Sequence, residues 1–354
     1  MTLDIRAPDD IDAAWLTRVL REDGVEAQVT GFTARKVGTG QIGDSIRFAL
    51  DYARPVPGAP ASLVGKFPAA ARESRETGMR LGNYHREVRF YQQLAPKALV
   101  SLPRCWFTEV DEATGDFVLM MEDLAPATQG DQLAGVNLDQ ARDVVIQAAR
   151  LHASFWGQDW LDELPWVQGS SAAPPGLVTP EMVEQCWDGF KLRYADRLAP
   201  HWVEIGDDVS RGYGRMNTPD GTPRGLTHND FRPDNMMFGG QGGKPVTVLD
   251  WQSFSYTPGA SDVGYFLAGA LPPEVRRAHE DELLELYQAE LRAHGAAGFT
   301  PDQLKRHYAR GGASIFTTAF FAAMIVTRTE RGDEMFLRML GGGADLIADQ
   351  DGAM

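Results

Sequence analysis

Cysteine is nearly absent from this chain of 354 residues: Cys105 and Cys186 are the whole supply. Two thiols so far apart form neither a disulfide framework nor a zinc-ligand pattern, and they point to a reducing compartment. Basic charge is also short. The 34 Lys and Arg stand against 49 Asp and Glu, a formal net charge of −15. Nucleic-acid binding rests largely on Lys and Arg neutralising phosphates, so no nucleic-acid partner is expected. The same acidity mildly favours cationic over anionic small partners. No long apolar run is present. Ser314 to Val326, the most apolar stretch, is too short to span a bilayer and carries two threonines, so no membrane insertion is expected. Met1 to Asp10 lacks the basic-then-apolar layout of a signal peptide, which suggests a cytoplasmic protein. Internal repeats and low-complexity tracts are missing too. What remains is an ordinary globular composition, 43% hydrophobic and 23% charged, long enough for one large or two medium domains.

The apolar pattern divides the chain. Asp9-Asp10 before Ile11, Ala14, Trp15 and Val19 predicts a capped amphipathic helix. From about residue 26 the pattern becomes strand-like, with Val29, Phe32 and Val37, a glycine cluster, and then Ile46, Phe48, Leu50 and Tyr52 at period two. A Pro/Gly turn over 55–60 leads to a short strand, Leu63 to Phe67. A helix around Tyr84 to Leu94 follows, then two apolar runs, Cys105 to Val110 and Phe117 to Met121. After Glu122-Asp123-Leu124 helical spacing dominates, with Leu138 to Trp156, Glu181 to Leu198, and everything from Glu274 onward. A Pro/Gly/Ser-rich loop over 169–175 and two short apolar stretches, Leu226 to Phe238 and Val246 to Trp251, interrupt it. The class is α+β: an antiparallel sheet with one packed helix over 1–121, and a mainly helical part over 122–354 that includes a helical insertion at about 126–225.

The strongest chemical signal is Thr227-His228-Asn229-Asp230-Phe231-Arg232-Pro233-Asp234-Asn235, an H-x-D-x-x-x-x-N pattern, with Asp250 fifteen residues beyond Asn235 at the end of an apolar run. Phosphoryl transfer needs a carboxylate beside the attacking hydroxyl and oxygen ligands for magnesium at the phosphates, and these residue types supply both. A polar turn between strands is the plain alternative. The segment resembles the catalytic loop of the aminoglycoside phosphotransferase and choline kinase superfamily. The wording HNDFRPDNMMF followed by VLDWQ is most similar to its ecdysteroid-kinase-like branch and bacterial relatives. That resemblance implies a protein-kinase-like two-lobe fold, ATP as co-substrate and Mg2+ as cofactor. It makes Asp230 the catalytic base, gives His228 a loop-organising role, and assigns Asn235 and Asp250 to the metal.

The remaining parts follow in order. Gly38-Thr39-Gly40-Gln41-Ile42-Gly43 is G-x-G-x-x-G between strand-like segments, which suits backbone approach to phosphates through Gly38, Gly40 and Gly43 and equally suits a hairpin turn. A dinucleotide fold would need a helix immediately afterwards. Lys66 is an odd guest in a short strand, and Glu87 would be turned inward with Phe90, Tyr91 and Leu94, so each is the obvious partner of the other. The plain alternative is a solvated strand-end lysine and a surface glutamate. By resemblance, Lys66 contacts phosphate, and the backbone of Met121, Glu122 and Asp123 meets the adenine. Asp262 braces the catalytic loop, although a helix N-cap would explain it equally well. Asn229 stands where glycine is commonest among the relatives. Trp251-Gln252 replaces the Phe-Gly of protein kinases, and no Ala-Pro-Glu segment follows. The function implied is a small-molecule kinase, with a nucleotide-binding pseudokinase or sensor as the main rival and a protein kinase as a weaker one. Aminoglycoside, amino alcohol, sterol and macrolide acceptors all stay open, as does ATP against GTP.

Overall fold

Asp12 accepts a hydrogen bond from the Trp15 amide at 2.7 Å and so caps helix α1 (Ala13–Glu22), which buries Trp15, Leu16, Val19 and Leu20. The cap is therefore Asp12; Asp9 and Asp10 lie in a separate 3-10 turn. The computed structural model describes residues 3–38, 42–167, 178–213, 220–240 and 243–350. The chain packs as two compact units. One takes in Met1–Lys97, Leu102–Pro126 and Leu249–Gln252; the other takes in Ala98–Ser101, Ala127–Val248 and Ser253–Met354.

The first unit is built on an antiparallel sheet of β1 (Val29–Val37), β2 (Gly43–Tyr52), β3 (Ser62–Pro68), β4 (Cys105–Val110) and β5 (Phe117–Glu122), in spatial order β1-β2-β3-β5-β4. Strand alternation decides which residues become core. In β3, Leu63, Gly65 and Phe67 are buried while Val64 and Lys66 face the other way. Leu63 and Phe67 join Phe48, Leu50, Val118 and Met120 against α1 in one apolar cluster. Two further helices follow β3, α2 (Arg72–Arg80) and α3 (Asn83–Arg89), and α3 continues as a single π-turn over Phe90–Leu94.

The second unit is mainly helical. A short strand β6 (Thr128–Gln129) precedes α4 (Leu138–Ser154), α5 (Pro180–Arg193) and α6 (Pro200–Gly212). Asn137 and Gln140 form a capping box that starts α4. Strands β7 (Gly225–Thr227), β8 (Met236–Phe238), β9 (Val246–Val248) and β10 (Ser255–Thr257) pair into two small sheets, β6-β8-β9 and β10-β7. The chain ends in α7 (Ala260–Ala270), α8 (Pro273–Ala293), α9 (Pro301–Ile325) and α10 (Glu330–Asp349). Helix α7 is buried along its whole length, and α9 and α10 pack closely on it and on each other. Among the described residues no helix is long and apolar enough to cross a membrane.

Candidate active site

In the first unit, Lys66 is the centre of a charge cluster. Its Nζ lies 2.8 Å from Glu87 Oε1, 2.7 Å from Glu87 Oε2 and 3.0 Å from Asp250 Oδ1. Strand β3 aims Lys66 away from the Leu63–Phe67 core, and α3 supplies Glu87 from the helix that follows. Opposite Lys66's strand, Gly43 begins β2 without a side chain. A Cβ there would stand 3.2 Å from the Phe67 carbonyl and 3.3 Å from Lys66 Cε, so the lysine stem depends on that gap. Burial opposes the lysine charge, but the Asp250 and Glu87 carboxylates outweigh it and hold the pKa above the ordinary value. Burial pushes the Glu87 carboxyl upward, against the lowering effect of Lys66. The Asp250 side chain is 38% exposed where Glu87 is 2% exposed. Asp250 thus keeps a solvent-facing carboxylate while Glu87 acts as a buried counter-ion.

Two neighbours of Asp250 hold its segment to α3. Gln252 Nε2 donates to Glu87 Oε2 at 3.1 Å, and Trp251 stacks on Phe90 with ring centroids 4.0 Å apart and planes 3° from parallel. Gln252 was visible in the sequence only as a departure from Phe-Gly; its role as a second ligand of Glu87 had no local signal.

Met121 and Glu122, two of the residues expected to meet the adenine, are embedded in the sheet. Met121 pairs with Val64 and Cys105, and Glu122 pairs with Leu63. The Glu122 amide donates to the Arg104 carbonyl at 2.8 Å, which commits that N–H within the unit. Asp123 Oδ2 is 2.7 Å from Arg47 Nε and accepts from Ser62 Oγ at 2.5 Å, while the Ala125 amide donates to its Oδ1 at 3.1 Å. The Asp123 side chain therefore fixes the backbone. Gly38 takes φ +72 with open space around it. Gly40 lies outside the described residues.

In the second unit, the loop after β7 carries Asp230. Its Oδ1 accepts from Arg232 Nε at 2.9 Å and from the Tyr265 hydroxyl at 3.2 Å, and its Oδ2 accepts from Asn235 Nδ2 at 2.8 Å. Asn235 Nδ2 also donates to the Asp230 carbonyl at 2.9 Å. Arg232 spans two carboxylates, its Nη1 lying 2.6 Å from Asp234 Oδ2. Burial works against the guanidinium charge, yet Asp230, Tyr265 and Asp234 together raise its pKa. Burial, then the Asp230 charge, keeps the Tyr265 hydroxyl protonated well above its ordinary value. Arg232 and Tyr265 were not singled out in the sequence. Arg232 lay inside the motif itself, and Tyr265 is three residues beyond Asp262, one helical turn along α7.

The loop is braced from α7. Asp262 accepts from the His228 amide at 2.6 Å and the Asn229 amide at 2.9 Å, and His152 Nε2 lies 3.2 Å from the same carboxylate. The N-cap explanation for Asp262 fails: Gly259 occupies the cap, and Asp262 sits in the first turn with its carboxylate directed at the loop. His228 Nδ1 accepts from the Asp230 amide at 3.3 Å. Asn229 adopts φ +63, and its Nδ2 donates to the Ser253 carbonyl and Ser255 Oγ at 2.7 and 2.8 Å. Asparagine tolerates this left-handed conformation better than most residues, which suits it to this position. Among the described residues Asn229 and Asp250 (φ +66) are the two non-glycine positions with positive φ. Strained backbone of this kind persists where the surroundings over-determine it, and it concentrates at functional sites.

Among the described residues no group of three or more His, Cys, Asp and Glu is placed to hold a metal. Magnesium commonly takes one or two protein oxygens and completes its shell with phosphates and water. In the first unit the partly exposed Asp250 carboxylate is a hard oxygen donor of that kind, and in the second unit the Asn235 amide carbonyl is another, so the chemistry of each donor suits such an ion.

A model of the phosphotransferase enzyme family matches residues 69–305, about two thirds of the chain. An uncharacterized kinase-like protein of Caenorhabditis elegans is 24% identical over 219 residues, 61% of this chain and 57% of that protein. The chain thus spans a little over half of that relative's length. Three solved structures share the fold at low identity. A Ralstonia eutropha protein described as a candidate aminoglycoside phosphotransferase superposes with a TM-score of 0.54 at 15% identity, over 96% of this chain and 98% of its own. The GDP complex of aminoglycoside 2′-phosphotransferase-IIIa gives 0.53 at 13% identity, covering 94% and 99%. Spectinomycin phosphotransferase with ADP and spectinomycin gives 0.50 at 11%, covering 97% and 100%. The fold is therefore the protein-kinase-like one, and none of these likenesses singles out the ecdysteroid-kinase-like branch.

Proposed function

This chain belongs to the phosphotransferase enzyme family, and from that membership we propose that it moves the γ-phosphoryl group of ATP onto a hydroxyl of a small molecule, with Mg2+ as cofactor. The observation that carries the reading is the largely buried Lys66 bridging Glu87 and the partly exposed Asp250. A lysine held between two carboxylates on separate segments is costly to build, and a phosphate-binding cation needs this fixed geometry. Lys66 binds the nucleotide phosphates. Asp250 and Asn235 would hold the magnesium ion, which supplies charge neutralisation at the phosphate oxygens when bound.

Asp230 is the base. Three donors, Arg232, Tyr265 and Asn235, fix its carboxylate, which limits the reorganisation needed when the acceptor hydroxyl arrives. It takes the hydroxyl proton as the acceptor oxygen bonds to the γ-phosphorus and the bond to the bridging oxygen breaks, releasing ADP. Arg232 offsets negative charge beside the transferred group. The Asp262 brace holds the amides of residues 228 and 229 and so sets where Asp230 stands. No macromolecular acceptor is invoked, since the landmarks of a protein-kinase activation segment are missing after Asp250.

The test is Asp230→Asn. Turnover should fall by about 10²–10⁴-fold, the range removed with a general base, while nucleotide binding by titration calorimetry stays near wild type. Full turnover in the variant would remove Asp230 from this role.

A further inference from the structure

Beside the loop that carries Asp230, the second unit holds a cavity of about 330 Å³ lined by Leu133, Arg197, Trp202, Glu334, Leu337 and Arg338. Its ties to the loop are short. Gln132, adjacent to Leu133, donates its amide to Asp234 Oδ1 at 2.8 Å, and Met335, adjacent to Glu334, has its sulfur 3.5 Å from Arg232 Nη1. Arg232 in turn holds Asp230. The cavity is thus linked to the proposed base through Asp234 and Arg232. The volume lies at the lower end of small-molecule sites, roughly 300–1,000 Å³.

The charge of the lining runs against the charge of the chain. Glu334 is neutralised by Arg197 at 2.8 Å. Arg338 has no such partner: its Nε donates to the Gly269 carbonyl at 3.4 Å, and among the described residues no carboxylate reaches it within ion-pair distance. Gly135, at φ +72, makes room for it, because a Cβ there would stand 2.9 Å from Arg338 Nη2. Two guanidiniums against one carboxylate leave the lining net positive on a chain of net charge −15. A guanidinium is a planar fork that fits a carboxylate with two parallel hydrogen bonds. Leu133, Leu337 and the Trp202 ring supply apolar walls, and an aromatic face suits a flat or alicyclic body.

We propose that this cavity is the acceptor subsite and that it selects a hydroxylated aromatic or alicyclic molecule bearing a carboxylate, with Arg338 as the anchor. The proposal rests on the phosphotransferase reading for its purpose and reverses the preference for cations that overall composition suggests. An ammonium-rich acceptor would bring like charge to Arg338, which disfavours it.

Three matched primary alcohols test it: tropate, tropic acid methyl ester and phenylalaninol share a phenyl ring and differ in charge. They head a library of hydroxylated ring compounds in carboxylate, ester and amine forms, and binding to the full chain is measured without nucleotide by ligand-observed NMR. Carboxylate forms should bind at least about tenfold more tightly than their amine counterparts. Arg338→Leu should abolish that preference and Arg338→Lys should keep part of it, with thermal melts confirming that each variant is folded. Amine forms binding as well as carboxylates, carboxylate binding unchanged in Arg338→Leu, or no carboxylate binding at all would each overturn the proposal. Adding ATP and Mg2+ and following phosphorylated product tests the reaction separately. Carboxylate binders that depend on Arg338, with no transfer to any acceptor, would leave the subsite standing and remove the phosphotransferase reading.

Discussion

A buried cation between two carboxylates is stable only while all three partners are present, and Lys66 exposes the consequence most simply. Lys66→Met leaves Glu87, 2% exposed, without its counter-ion. Breaking a buried pair from one side costs about 3–5 kcal/mol, because the remaining charge stays desolvated. The double variant Lys66→Met with Glu87→Leu removes both charges and should recover much of that loss. Denaturant titration measures this recovery, and nucleotide turnover should stay absent in both variants. A double variant no more stable than the single one would mean that Glu87 draws its stabilisation from elsewhere, with Gln252 the first alternative. At this scale the sequence was uneven as a guide. Lys66 and Glu87 could be paired because a strand lysine and an inward-facing helix glutamate each lacked a partner. Tyr265 and Gln252 could not be placed, because their roles arise from contacts between segments 35 and 165 residues apart, whereas Arg232 stood within the motif two residues from Asp230.

Among elements, α9 carries an acid-sensitive joint away from the Asp230 loop. His307 is 1% exposed, and its Nε2 lies 3.2 Å from Asp220 Oδ2. Burial, helped by the nearby Arg310 charge, pushes the imidazole down to about 4, while Asp220 is held well below the usual carboxylate range. Burial opposes ionisation of Asp220, but Thr222, His307 and Arg310 outweigh it. The folded state therefore keeps His307 neutral where the unfolded chain would protonate it. This contribution is whole above the ordinary histidine value of about 6.5 and is lost as pH falls toward about 4. Melting temperature should decline over that window in the wild type and decline less in His307→Gln. Parallel declines would rule out His307 as the source. Element types were readable wherever periodicity was strong, as in the strands of the first unit and α4, α5 and the C-terminal helices. Helix α2, whose Arg/Glu-rich stretch carries no apolar stripe, escaped, as did the π-turn at Phe90–Leu94 and the move of the α1 cap from Asp9-Asp10 to Asp12. Propensity cannot separate neighbouring aspartates, and only the completed helix decides which one meets a free amide.

For the molecule as a whole, the order of motifs along the chain carried more than any single motif. A glycine turn, a strand lysine, a helix glutamate, an Asp–Asn loop and a later aspartate are each ambiguous. Their sequence order matches one fold, and the family match over residues 69–305 agrees with it. The proposed acceptor subsite was not legible, because the cavity draws on a loop at residue 133 and on helices α6 and α10, which meet only after folding. Net charge is a weak guide to such a site: −15 describes the surface in total and says little about a local pocket. Catalysis follows from sites rather than folds, so product formation is the decisive observation. The wild-type chain incubated with ATP, Mg2+ and a broad panel of hydroxylated small molecules, read by mass spectrometry, should yield at least one product heavier by a phosphoryl group, and that product should vanish in Asp230→Asn. Magnesium-dependent ATP binding with no phosphorylated product across the whole panel would contradict it.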